Sequence, residues 1–305
     1  MADDEAARTA AFWRAKGDAC HAAGDIRGGG EAHLKALAAS TRDPALVAAA
    51  AALTAKNLAV AERLLKQHLK RCPTDIGAMR MLAELATRLG RYGDAVALLD
   101  RALDRAPEFR PARFARALVN SRRGRLTEAI AETDVLLAAA PDHLGYLNLK
   151  ASVLVRLGDY EPARTIYERV LAERPDEPKI WMSLGHVLKT SGYASEGIEA
   201  YRRSLALRPE LGESWWSLAN LKTFRFSDPD LAAMHAALDA LSADCEDDTL
   251  HIHFALGKAY EDRADFHRSF AHYAQGNAIR RAQIEYDANE IVCFAFMPVC
   301  SFPKC

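Results

Sequence analysis

The chain has 305 residues, half of them hydrophobic, and carries a formal net charge of −1. So balanced a charge excludes the strongly basic footprint of a nucleic-acid binder, and no run of about 18 apolar residues is present to cross a membrane as a helix. Six cysteines in this length do not make a disulfide framework.

The chain opens on Met1-Ala-Asp-Asp-Glu, which is acidic and has no apolar signal core, so the expected compartment is the cytoplasm. Residues 1–41 are expected to form N-terminal capping helices. Gly28-Gly29-Gly30 reads as a flexible turn between two of them, because it lacks the preceding strand and the following Lys-Ser/Thr of a phosphate loop.

From there the chain keeps a fixed interval: Pro73, Pro107, Pro141, Pro175 and Pro209 stand 34 residues apart. A period of this size marks a solenoid, whose units bury their apolar faces only against their neighbours. Four residues before each proline stands a leucine (Leu69, Leu103, Leu137, Leu171, Leu205), and twelve before stands a small residue (Ala61, Ala95, Ala129, Ala163, Gly197). A column that stays small predicts two helix axes approaching closely. Seventeen before, the column reads Lys56, Gly90, Gly124, Gly158 and Gly192. Glycine there would end a first helix in a left-handed turn, and the proline would end a second, so each unit is a helical hairpin.

Thr127, Pro162 and Ser195, with Glu128 and Glu196 just inside, suit the starts of the second helices. Glu108, Asp142, Asp176 and Glu210 follow the prolines, near the positive end of the next helix. Arg116 and Lys150 fall on positions that are apolar in the other units, so packing there is expected to depart from the rest. The period breaks over 225–249, expected to be irregular with a short helix, and one further hairpin is expected over 250–283.

Five histidines, His235, His251, His253, His267 and His272, crowd the last module. His251 and His253 are two apart, about 200° round a helix, so both cannot address one ion, and no i, i+4 pair with an intervening glutamate exists. They are expected to be surface or packing residues. Cys20, Cys72 and Cys245 are isolated, and Cys293, Cys300 and Cys305 lack the spacing of a zinc knuckle, so no metal is expected. Residues 284–305 are expected to be an atypical tail, disordered or loosely packed, whose composition changes abruptly over Ile291 to Cys305. No catalytic constellation is separable from ordinary solvated helix faces.

The interval, the tryptophans Trp181 and Trp215, and Leu184-Gly185 resemble tetratricopeptide repeats over residues 42–224, and Leu256-Gly257, Tyr260, Phe266, Ser269 and Tyr273 repeat the family order over 250–283. The resemblance implies an all-α, right-handed superhelical solenoid whose groove is lined by the first helix of each hairpin. Carried over position by position, it implies groove contacts at Arg80, Phe114, Asn148 and Trp216, with Asn220 beyond. A cationic ladder of Arg88, Arg122 and Arg156, then Lys189, would climb the same groove. Guanidinium groups fork onto carboxylate or sulfate oxygens, which suits an acidic peptide or protein partner. The same arginines also fit the negative ends of their own helices. Trp181 and Trp215 sit at packing positions, and Trp216, one residue further round, is expected to be an exposed contact.

Three phrases carry a narrower resemblance: Gly212-Glu-Ser-Trp-Trp-Ser-Leu-Ala-Asn-Leu-Lys-Thr-Phe-Arg-Phe-Ser-Asp228, Leu250-His-Ile-His-Phe-Ala-Leu-Gly-Lys-Ala-Tyr-Glu-Asp262, and Ser269-Phe-Ala-His-Tyr-Ala-Gln-Gly-Asn-Ala-Ile-Arg-Arg281. They resemble the repeat half of bacterial tetratricopeptide-sulfotransferase fusion proteins. The expectation is a non-catalytic module that presents a peptide-like acceptor to a sulfotransferase. The donor 3′-phosphoadenosine-5′-phosphosulfate would bind only with a catalytic domain that has no counterpart after Ile284, as if the reading frame were truncated. The alternative is an independent protein-protein interaction scaffold, and a third reading, an enzyme site in the histidine-rich module, has little behind it.

Overall fold

The computed structural model describes residues 9–242 and 244–283, which hold sixteen helices and no strand. The chain divides into two compact units at Val170/Leu171. Unit 1 contains α1 (Ala10–Ala22), α2 (Ile26–Ala39), α3 (Pro44–Thr54), α4 (Leu58–Arg71), α5 (Ile76–Arg88), α6 (Tyr92–Arg105), α7 (Arg110–Arg122), α8 (Leu126–Ala139), α9 (Leu144–Leu157) and the start of α10 (Tyr160–Glu173). Unit 2 contains the end of α10, then α11 (Pro178–Thr190), α12 (Ala194–Leu207), α13 (Gly212–Ala219), α14 (Asp228–Ala240), α15 (Glu246–Asp262) and α16 (Phe266–Gln283). None of these helices is long and apolar enough to cross a membrane. The architecture is an all-helical solenoid of hairpins, as the interval requires.

Backbone chemistry explains the hairpins. Gly90, Gly124, Gly158 and Gly192 have φ of 71°, 77°, 94° and 89°, the left-handed conformation that ends each first helix. Lys56 occupies the same column and adopts the same turn at φ 57°, so the first unit keeps the geometry of the other units without their glycine. At the other end, Cys72, Ala106, Ala140 and Arg208 precede prolines and have φ of −129°, −143°, −151° and −144°. The proline ring clashes with a helical conformation in the residue before it, so the second helix stops one residue early.

The small column packs as its side chains dictate. Ala61, Ala95, Ala129 and Ala163 are fully buried. A Cβ on Gly197 would lie 3.3 Å from the Gly185 carbonyl oxygen, so glycine sets the α11–α12 crossing. The larger side chains that fill the space beside it are Leu65, Leu99, Thr133, Tyr167 and Tyr201, eight residues before each proline and all no more than 2% exposed. The leucines four before are less uniform: Leu103, Leu171 and Leu205 are buried, Leu69 and Leu137 half-buried.

Several expectations are corrected. Gly28, Gly29 and Gly30 lie inside α2 and are not a turn; the turn is at Gly24, φ 82°. The glycines permit close approach instead, since a Cβ on Gly29 would sit 2.7 Å from the His21 ring and one on Gly30 3.4 Å from Pro107. The α1–α2 hairpin packs across α5 and α6, where Arg14 pairs with buried Asp75 at 3.1 Å and His21 Nε2 meets the Arg105 carbonyl at 2.8 Å. Within 225–249, expected to be irregular with a short helix, residues 228–240 form a helix of 13 residues with a capping box, Ser227 with Asp230. Both cations at apolar positions are partnered: Arg116 pairs with Asp100 at 2.7 Å and with Glu132, and Lys150 pairs with Asp134 at 2.6 Å. The expectations for 284–305, including Cys293, Cys300 and Cys305, lie outside the described residues.

Candidate peptide-binding site

In unit 1, consecutive first helices α5 and α7 enclose a cleft of about 420 Å³. Helical spacing puts Arg80, Glu84, Thr87 and Arg88 on one side of α5. From α7 come Pro111, Phe114, Ala115, Leu118, Val119 and Arg122. Four residues singled out in the sequence, Arg80, Arg88, Phe114 and Arg122, therefore meet at one place.

The electrostatics are unequal. Glu84 is shared, 3.6 Å from Arg80 and 2.6 Å from Arg88. Arg88 also donates to the Leu53 carbonyl at 2.8 Å, which ties it to the last turn of α3. Arg122 is exposed and makes no hydrogen bond or ion pair among the described residues. Three guanidinium groups thus face one carboxylate, and one of the three keeps all its donors free for a ligand. Apolar walls lie beside it: Phe114 is half-buried, its ring 5.6 Å from that of Tyr146, with Leu118 one turn on.

The remaining residues do not join this cleft. Arg156, on α9, hydrogen-bonds the Ser121 carbonyl and its hydroxyl, the latter at 3.0 Å, so it closes the end of α7 and is not a free rung. A one-residue-wide ladder is corrected accordingly, because two of its three arginines are held by backbone oxygen. Asn148 is exposed on α9. Lys189, Trp216 and Asn220 belong to unit 2. Lys189 is half-exposed in the last turn of α11, and Asn220 caps the C-terminus of α13. Trp216 is half-buried, its ring 5.5 Å from Phe254 and packed on the unit 2 core, where an exposed indole was expected. Helix α13 is only 8 residues long and lies against α15, which brings Phe254 over the indole.

Trp215 is buried as expected and Trp181 is half-buried. Their indole N–H groups donate to the carbonyls of Pro209 and Pro175, each at 2.8 Å. Arg113, two repeats before Trp181 in the same column, does the same to Pro107 at 3.0 Å. Sequence reasoning missed Glu84, although its spacing of four from both Arg80 and Arg88 was a usable signal. Among the described residues no three of His, Cys, Asp or Glu are arranged to hold a metal ion. His235, His253 and His272 nevertheless converge in unit 2, on separate helices. Cys20, Cys72 and Cys245 are free thiols.

Residues 80–143 and 148–211 match the family model of the tetratricopeptide repeat. No curated protein matches the chain. Among solved structures, the chain is similar to a tetratricopeptide repeat protein from Parabacteroides merdae ATCC 43184, with 16% identity and a TM-score of 0.55 over 81% of this chain and 94% of that one. MamA also matches, with 18% identity and a TM-score of 0.47 over 52% of this chain and 93% of that one. At such identity the first likeness is one of fold. Repeats of this family are protein-interaction modules, and residues 80–143 and 148–211 of this chain are tetratricopeptide repeats.

Proposed function

We propose that unit 1 binds an acidic peptide segment of a partner protein in the α5–α7 cleft. The observation that carries this is the free Arg122 guanidinium beside Phe114 and Leu118, in a cleft lined by three arginines whose one carboxylate, Glu84, is taken by Arg80 and Arg88. Arg122 would fork onto an Asp, Glu or sulfate group, and the apolar wall would take the neighbouring side chain. The wider role we assign is that of the non-catalytic repeat part of a sulfotransferase, which presents a peptide-like acceptor to a catalytic domain. Support for that role is the resemblance of Gly212–Asp228, Leu250–Asp262 and Ser269–Arg281 to the repeat half of sulfotransferase fusions.

Binding is tested by calorimetry with peptides that carry an acidic residue next to an apolar one. Arg122→Glu is expected to weaken binding at least tenfold and to flatten its salt dependence. Unchanged affinity removes the cleft as the site. The wider role is tested with 3′-phosphoadenosine-5′-phosphosulfate, which should bind only when a sulfotransferase domain is supplied. Binding of the donor to this chain alone contradicts the assignment, and peptide binding without any sulfotransferase association leaves an independent scaffold.

A further inference from the structure

We propose that His235, His253 and His272 form an acid-released latch that holds α16 against α14 and α15. The three rings come from three successive helices. His253 Nδ1 lies 3.0 Å from His272 Nδ1, and the His235 and His272 ring centroids are 5.5 Å apart. Tyr260 closes the group, with its hydroxyl 2.9 Å from His235 Nε2 and its ring stacked on His272 at 5.6 Å and 10°. No ring contact among the described residues links His251 or His267 to the group.

The nitrogen pair makes the latch sensitive to protons. Two Nδ1 atoms 3.0 Å apart share one hydrogen, so one neutral ring donates and the other accepts. A proton added to the accepting Nδ1 sets two N–H groups head to head and breaks the contact. A proton added to the far nitrogen of the donor leaves a charge in a half-buried pocket.

Charged neighbours do not rescue it. On α14, Asp228 and Asp230 are paired with Arg263 and Arg202, and Asp239 is exposed. On α15, Asp262 is taken by Lys258 and Arg225, and Glu261 accepts from Tyr273. On α16, Arg268 lies over Tyr260 at 4.4 Å and adds a cation, while Asp265 is paired with that arginine. From α13, Glu213 pairs with His186. No carboxylate hydrogen-bonds any of the three rings among the described residues. Burial, then the neighbouring histidines, lower His272 from 6.5 to about 4, and burial followed by His235 lowers His253.

The sign follows from linkage. A histidine whose folded value lies below its free value of 6.5 contributes contact stability that is complete above about pH 6.5 and is lost as pH falls toward 4. For His272 alone, the opened form gains about 30-fold at pH 5.0 relative to neutral pH.

Hydrogen exchange of the full chain at pH 7.5 and 5.0, corrected for intrinsic rates, tests this. Protection of α16 amides is expected to fall about 30-fold while that of α12 changes less than about threefold. His253→Leu/His272→Leu, which replaces the pair by apolar groups, should abolish the response, and His272→Asn, which keeps an uncharged hydrogen-bonding group, should reduce it to the part left by His253. Equal protection of α16 at both pH values, an equal fall in α12, or a response undiminished in His272→Asn overturns the latch.

Discussion

Arg156 reaches back 35 residues to Ser121, hydrogen-bonding its carbonyl and, at 3.0 Å, its hydroxyl. Arg88 makes the same reach to the Leu53 carbonyl at 2.8 Å. Each guanidinium therefore closes the last turn of the preceding hairpin's first helix, where unsatisfied carbonyls carry the negative end of the dipole. Arg122, the column member between them, makes no such bond. One column of identical residues thus contains two structural ties and one free cation.

Arg156→Ala is accordingly expected to destabilise unit 1 by about 1 kcal/mol, discounted for the exposure of the side chain, whereas Arg122→Ala should stay within about 0.5 kcal/mol. Thermal unfolding separates them, with a shift of roughly 2–4 °C for the first. Equal shifts would mean that the reach to Ser121 contributes nothing. Peptide affinity should move the other way, falling for Arg122 and holding for Arg156.

The two tryptophans offer a matched comparison. Trp215 and Trp181 both donate to a proline carbonyl at 2.8 Å, but Trp215 is 4% exposed and Trp181 is half-buried. Replacing either by Phe removes the donor. At Trp215 the Pro209 carbonyl loses its partner away from water, so the expected cost is about 2–3 kcal/mol including lost volume. At Trp181 water replaces the indole, and about 1 kcal/mol or less is expected. Denaturant unfolding that ranks Trp181→Phe as the costlier change would refute this account.

Arg116–Asp100 and Lys150–Asp134 are the same ion pair one repeat apart, each joining residues 16 apart in sequence. Their surroundings differ. Arg116 also holds Glu132, which is 14% exposed and shared with Arg113, while Asp134 is 52% exposed. Arg116→Leu should therefore cost about 1–2 kcal/mol by leaving a largely buried carboxylate with Arg113 as its single cation. Lys150→Leu should change stability by about 0.5 kcal/mol at most, as exposed pairs do. Urea midpoints for the two variants decide the point: a Lys150→Leu loss as large as that of Arg116→Leu would show that burial of Glu132 is irrelevant.

What could be read from the sequence was what the backbone imposes locally. Proline and glycine act on their own and adjacent residues, so Pro107 and Gly90 announced a hairpin without any tertiary information. The fate of each arginine was not legible, because the Leu53 and Ser121 carbonyls that hold Arg88 and Arg156 are backbone atoms with no residue signature. Trp216 is covered for a related reason: Phe254 comes from α15, 38 residues further along the chain, which packs on the 8-residue α13. The convergence of His235, His253 and His272 depends on three helices whose angles no spacing rule supplies. Gly28-Gly29-Gly30 was read as a turn on propensity, but close packing against His21 and Pro107 overrode it.

Positive φ at non-glycine residues supplies the sharpest stability test. Lys56 has φ 57° in the column where Gly192 has φ 89°, and Ala264 has φ 56° in the turn before α16. A side chain in the left-handed region costs about 1–2 kcal/mol, partly offset by the lower freedom of a non-glycine residue in the unfolded chain. Lys56→Gly and Ala264→Gly are therefore expected to stabilise by about 0.5–1 kcal/mol each, and Gly192→Ala to destabilise by about 1 kcal/mol. A Cβ on Gly192 would meet nothing within 4 Å, so the loss there would come from backbone strain alone. Chemical denaturation of the three variants should give opposite signs. A gain for Gly192→Ala, or a loss for both glycine insertions, would mean that these turns relax out of the left-handed region when substituted.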